Sequence, residues 1–433
     1  RISSITPIFH ESSFLVTRPL STTHSKFKSL SSKEYASKVA ALPYDVMNSE
    51  EAKEMVNGKP YSFLHVDKAE IDFDPIPDNI YTEAVYLKAR ENLDKLVSDG
   101  VCRQDETPCI YIYRQIMNGR SQTGIVGCAS IDDYINNIIK KHEFTRADKE
   151  EDRIRHVDTC DANTGPIFLA YKGNGKIDEI IEKYKAKEPE YDFFSDGDVR
   201  NTVWVISDEK DCEALKGAFS DVPSLYIADG HHRAASAVKV ALKRRKENPG
   251  FTGEEEFNFF LAVAFKADEL KIMDYNRVIK DLNGNTSEEF IEKMGEKFVV
   301  EEADESPYSP KERHTFGMFL NNKWYKVTAK AEFINENDPV ECLDVSILQN
   351  NLITPILNIT DPRTDKRIDF VGGIRGLGEL ERRCAEGMKL AFAMYPTSLN
   401  ELMDIADAGK VMPPKSTWFE PKLLSGLFIH KLS

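Results

Sequence analysis

Tyr226-Ile227-Ala228-Asp229-Gly230-His231-His232-Arg233-Ala234-Ala235 joins two kinds of hydrophobic pattern. Upstream, the apolar run from Val222 to Ala228 predicts a buried strand. Downstream, His232 to Arg245 places Ala234, Ala235, Val238 and Leu242 at helical spacing. Gly230 lies between them and lets the backbone turn sharply. An acid, two imidazoles and a guanidinium are therefore predicted where a strand hands over to a helix. Such a corner suits an anion, because the free N–H groups and the positive dipole end of the helix point at it. An Asp-Gly turn with capping side chains is the plain structural alternative.

Outward from this corner, strand and helix patterns alternate from about 165 to 265. Ile167–Tyr171, Thr202–Ile206 and Phe257–Phe265 read as strands, and Gly173–Tyr184 and Asp208–Phe219 as a turn plus helix and a helix. The fold class expected is mixed α/β and α+β. Before this block, Asn48 or Ser49 caps a helix running through Val56, with Glu50 and Glu51 in its first turn. Ser62–Val66 reads as strand-like, and its His65 as a hydrogen-bonded core residue. Ile80–Leu96 reads as an amphipathic helix with Ile80, Ala84, Leu87 and Leu96 on one face. Cys109–Ile116 and Gln122–Ile131 flank Asn118-Gly119, a hairpin, and Ile131–Ile139 reads as a short helix. After the block come a helix at 288–297, an acidic linker at 301–310, a hairpin around Asn321-Asn322, a strand at 390–395 and a capped helix at 398–406.

Two further stretches carry chemistry. Lys140 to Arg155 is densely and mixedly charged, with His142-Glu143, Thr145-Arg146 and Glu151-Asp152-Arg153. Arginine forks bind phosphate oxygens, and a carboxylate can take a hydroxyl proton. A solvated helix face is the competing reading. Met412 to Lys422 is stiffened by Pro413, Pro414 and Pro421 and presents Lys415, Ser416 and Thr417. A rigid loop with a cation and hydroxyls suits phosphate at a low ordering cost. Asp274-Tyr275-Asn276-Arg277 is a candidate to reach back toward the same cleft.

With 433 residues the chain has room for two or three domains and a large core. A formal charge of −15 argues against a nucleic-acid footprint, which needs clustered positive charge. Seven cysteines without CxxC spacing imply reduced thiols rather than a disulfide framework or zinc site. No apolar run reaches membrane-spanning length, so no membrane partner is expected. Residues 1–33 are rich in Ser and Thr, with Arg1, Arg18, Lys26, Lys28 and Lys33 against the single acid Glu11. They read as a flexible or transit-like extension. A cytoplasmic location is expected, or organellar import if that extension is a transit segment.

From about Ala40 onward the chain resembles the domain-of-unknown-function 1015 family. The resemblance rests on Pro43-Tyr44-Asp45-Val46, Lys141-His142-Glu143-Phe144-Thr145-Arg146, Glu151-Asp152-Arg153, Asp229-Gly230-His231-His232-Arg233 and Pro414 to Lys422, in this order. The Asp229–Arg233 box also resembles a phosphate-binding box of the ParB/sulfiredoxin-like superfamily. That likeness implies a core of that type with added N- and C-terminal α/β elements. The divisions expected are 1–33, 34–160 with the His-Glu box, 161–300 with the Asp-Gly-His-His-Arg box, and 301–433. The His142-Glu143 segment is similar to the one carrying the catalytic glutamate of free-serine kinases.

The resemblance implies a small-molecule phosphotransferase acting on a free hydroxy amino acid, most plausibly L-serine, or running in reverse from phosphoserine. Glu143, His142, Asp229 and His231 are the candidate catalytic residues. Gly230, His232, Arg233, Arg146, Arg153, Lys415, Ser416 and Thr417 would hold phosphate or nucleotide, and Tyr44 and Asp45 the substrate. ATP, ADP or pyrophosphate would be the donor, with Mg²⁺ and with Asp229 as a candidate ligand. A homodimer stands as an open expectation. No Walker A loop or protein-kinase motif set is present. The alternatives are a nucleotide-operated switch without turnover and a metal-dependent hydrolase built on Asp229, His231 and His232.

Overall fold

The computed structural model describes residues 28–30, 33–105 and 107–433. Most of the transit-like stretch, including residues 1–27, lies outside the described residues. The centre is an eight-stranded sheet in the order Ile139–Lys140, Leu225–Asp229, Ile167–Tyr171, Phe259–Lys266, Arg120–Ser130, Ile110–Met117, Val199–Ile206, Tyr191–Ser195. Two neighbouring pairs are parallel, 139–140 with 225–229 and 167–171 with 259–266. The other pairings are antiparallel. The sheet takes three strands from before residue 160 and five from after it.

Strand alternation shows why these segments read as continuous apolar runs. Leu225 and Ile227 face a core built with the helices Gly175–Lys185, Glu209–Ser220 and His231–Glu247. Tyr226 and Ala228 face the opposite core, with Phe168, Phe265 and Phe419. With both faces covered, neither parity can be polar.

A second, six-stranded antiparallel sheet runs Phe298–Glu302, Lys323–Ala329, Thr315–Leu320, Leu390–Ala393, Tyr275–Ile279, Ile368–Gly372. The C-terminal chain ties the parts together. Trp418–Phe419 pairs with Ile272–Met273, and Phe428–Lys431 pairs with Lys28–Leu30 and Ala162–Asn163.

Expected helix starts are present with full capping boxes at Asn48 and Ser398. Three expectations need correction. Ser62–Val66 is not a strand: Leu64–Asp67 is a helical turn, and His65 holds Asp72 at 2.6 Å. Its apolar residues fill a core rather than a ladder. The helix expected over 80–96 spans Glu83–Ser98 and buries Val85, Tyr86, Ala89, Leu93 and Leu96. Leu87 is 55% exposed. The packed face is set by the neighbouring helix Ala147–Cys160, whose Asp152 accepts the Tyr86 hydroxyl at 2.9 Å. The short helix after Ile131 ends at Ile135, and Ile139–Lys140 becomes an edge strand.

Gly426 leads into the last strand with φ +85°, and a Cβ there would lie 2.6 Å from the buried Phe63 ring. Gly426→Ala should cost about 2 kcal/mol or more and lower the melting temperature. Gly217→Ala, in an exposed helix turn with open space around it, should instead stabilise by about 0.5–1 kcal/mol. Thermal unfolding of both variants checks the contrast.

Candidate functional site

The predicted corner forms as a strand ending at Asp229, Gly230 at φ +92°, and a 17-residue helix beginning at His231. The helix has no side-chain N-cap hydrogen bond. Its entry borders a cleft of about 1070 Å³. Tyr44, Asp45, His142, Glu143, Asp229 and His232 line that cleft, as do Lys415, Thr417 and Lys422. The three chemical stretches of the sequence therefore converge on one space.

Asp229 is held on both sides. One oxygen accepts the Gly230 N–H at 2.8 Å and the other accepts Lys422 Nζ at 3.0 Å. Burial pushes its carboxyl up, but Lys422 and then Arg233 override this and hold it well below the usual carboxylate range. Lys422 is in turn kept protonated: burial lowers its pKa, and Asp229 more than restores it. Its ammonium also lies 4.7 Å from the Trp418 ring centroid. Lys422 is the site residue least expected from sequence. It ends the proline-stiffened loop, and nothing local in the sequence marks it as the partner of an acid 193 positions away.

His231 is buried behind the wall, edge-on to His142 with ring centroids 4.4 Å apart. Its Nε2 accepts the His142 backbone N–H at 3.5 Å, so the proton of the neutral ring sits on Nδ1, 3.7 Å from Glu143 Oε2. Burial, then the neighbouring His142, keeps His231 far below its ordinary pKa. Burial likewise takes His142 down to about 4, against the pull of Asp229. The Glu143 side chain keeps 45% of its surface exposed to the cleft. The cleft walls still desolvate its carboxyl enough to raise its pKa, with Lys415 opposing and Asp229 reinforcing the rise. A carboxylate raised in this way is a stronger base.

The remaining candidates are placed less directly. Arg233 donates to the Pro166 carbonyl at 2.6 Å and borders a small cavity behind the cleft, shared with Tyr44, Asp67 and Arg153. Asp229, His232, Arg146, Arg153 and Ser416 are among the residues lining the cleft; Gly230, His231 and Arg233 are not, and Arg233 borders the smaller cavity instead. His232 Nε2 accepts the Arg146 backbone N–H at 3.0 Å, and the Arg146 guanidinium forks onto Asp148. Arg153 is buried, bonded to Asp152 at 2.9 Å and 4.0 Å from the Tyr44 ring centroid, so its charge is paired within the wall. The Ser416 hydroxyl donates to the Pro413 carbonyl at 2.6 Å. Lys415 is exposed, at φ +60°, a conformation that costs a non-glycine residue about 1–2 kcal/mol.

Among the described residues, no group of three His, Cys, Asp or Glu is arranged to hold a metal ion. No helix there is long and apolar enough to cross a membrane. The described cysteines are free thiols.

The family profile described as "Protein of unknown function (DUF1015)" matches residues 26–346. Comparison with curated proteins returns no match. Among solved structures, a free serine kinase in complex with ADP aligns at 15% identity and TM-score 0.35, covering 68% of this chain and 87% of that one. A conserved hypothetical protein from Pyrococcus furiosus aligns at 16% identity and TM-score 0.33, covering 69% and 92%. SbnI from Staphylococcus aureus, truncated at its C-terminus, aligns at 11% identity and TM-score 0.34, covering 69% and 85%.

His142, His231 and His430 are buried and neutral, the last also taken to about 4 by burial. The unfolded chain protonates its histidines near 6.5. Their contribution to stability is therefore full above pH 6.5 and is lost as pH falls toward 4. Melting temperature should fall over that window, and less steeply in His142→Asn. Equal slopes in the two proteins would contradict the assignment of His142.

Proposed function

The chain belongs to the DUF1015 family, and from that premise we propose that its cleft transfers a phosphoryl group from a nucleotide or pyrophosphate donor to the hydroxyl of a free amino acid, L-serine first. The observation that carries this reading is a raised carboxylate, Glu143, sharing one cleft with two cations, Lys415 and Lys422, beside an uncapped helix entry. A base and an anion-binding end are the two parts that transfer to a hydroxyl requires. Serine is the acceptor implied by the similarity of the His142-Glu143 segment to free-serine kinases.

In this reading the donor's terminal phosphate lies toward Lys415 and Lys422, which offset its charge. Asp229 keeps Lys422 charged and aimed at the cleft. The acceptor hydroxyl faces Glu143. Its oxygen attacks phosphorus, the new P–O bond forms as the bond to the donor's bridging oxygen breaks, and the hydroxyl proton passes to Glu143. The Nδ1–H of His231 faces Glu143 Oε2 and steadies the carboxylate without taking the proton. Tyr44 and Asp45 form the rim nearest the acceptor.

The residues as they stand do not favour Asp229 as a Mg²⁺ ligand, because the Lys422 ammonium at 3.0 Å and the nearby Arg233 already offset its charge and would repel a dication. A divalent ion would enter with the donor phosphates and offset part of their charge.

Phosphorus NMR with L-serine, Mg²⁺ and ATP, ADP or pyrophosphate in turn tests the reading. Phosphoserine should form with at least one donor. Glu143→Gln should lower the rate by about 100-fold or more while donor binding persists. For the active donor, the rate should decline as pH falls through the raised pKa of Glu143. Saturable nucleotide binding with no turnover, for any donor or in reverse from phosphoserine, would replace transfer with a nucleotide-operated switch.

A further inference from the structure

Arg277 lies on the strand Tyr275–Ile279 of the second sheet and is 4% exposed. Among the described residues no carboxylate is within ion-pair distance of it. Its guanidinium donates to two backbone carbonyls, that of Tyr275 and, at 3.1 Å, that of Lys415. The Phe370 ring centroid lies 5.5 Å away. A buried cation without a counter-charge is costly, and among the described residues the hydrogen bond its guanidinium makes beyond its own sheet goes to the backbone of one loop residue. That residue is Lys415, whose backbone is left-handed although it is not glycine. The Lys415 ammonium lies 5.5 Å from the Tyr275 ring centroid, so Tyr275 and Arg277 hold the same residue at its two ends. Thr397 supports the loop one residue on, donating to the Ser416 carbonyl at 3.1 Å.

We propose that Arg277 is a positioning residue for Lys415: by holding the Lys415 carbonyl it fixes the left-handed turn that presents the ammonium to the cleft shared with Glu143. Its importance for catalysis rests on the phosphotransfer reading, but the linkage from Arg277 to Lys415 to Glu143 does not. The groups that act on Glu143 are Lys415 in the C-terminal loop and Asp229 and His231 at the strand–helix corner. Of these only Lys415 is touched by Arg277.

The test is a carboxyl carbon-13 NMR titration of Glu143 in the ligand-free full chain, the signal being assigned by its loss in Glu143→Gln. Lys415 lowers the pKa of Glu143, so removing its charge in Lys415→Met should move the midpoint upward. Arg277→Gln should move it the same way, and adding Arg277→Gln to Lys415→Met should move it no further. Arg277→Lys keeps the charge but cannot fork to both carbonyls, and should give a smaller shift. It serves as the second variant if Arg277→Gln does not fold. A purely structural Arg277 would lower the melting temperature without moving Glu143. An unmoved midpoint in a folded Arg277 variant would overturn the proposal, as would an unmoved midpoint in Lys415→Met. Where turnover is measurable, the acid limb of kcat/KM should shift with the midpoint. Absence of turnover with every donor would remove the phosphotransfer reading and leave the titration to decide Arg277.

Discussion

The site depends on the ion pair between Asp229 and Lys422. Asp229 ends a central strand and Lys422 sits in the closing proline-rich loop, so the contact joins the strand–helix corner to the C-terminal segment. Both groups are desolvated, and each holds the other charged. Breaking one side would leave an uncompensated buried charge, which is far costlier than the pair itself. The second oxygen of Asp229 closes onto the Gly230 N–H and shapes the start of the helix. One carboxylate thus sets both the turn and the position of a cleft cation.

Around this joint the wall is built from paired groups, and the cleft from less committed ones. Arg153, Asp152, Tyr86 and Tyr44 satisfy one another inside the wall. The buried imidazoles of His142 and His231 stay neutral. Glu143 and Lys415 remain exposed, where a ligand can meet them. Such segregation suits a site that must bind a polyanion without collapsing onto its own charges.

Local features were legible in the sequence and distant ones were not. The strand–Gly–helix corner, the hairpin at Asn118-Gly119 and the capped helices at Asn48 and Ser398 follow from turn chemistry and periodicity within a few residues. The bond from Asp229 to Lys422 and that from Arg277 to Lys415 cross 193 and 138 positions, and no local pattern encodes them. Leu87 reads as core because helical spacing identifies a stripe but not the element that covers it. Ser62–Val66 reads as strand because a short apolar run has no period of its own. The His142-Glu143 box stands out by composition. Its nearness to His231 came only with the edge strand Ile139–Lys140, which lies beside Leu225–Asp229.

The phosphates of the donor are proposed to lie at Lys415 and Lys422, beside the helix entry that follows Gly230. The most direct measurement is amide NMR of the full chain during titration with pyrophosphate. The amides of His232, Lys415 and Lys422 should shift most, and Lys422→Met should weaken the effect. Pyrophosphate binding that leaves those amides unmoved would contradict it.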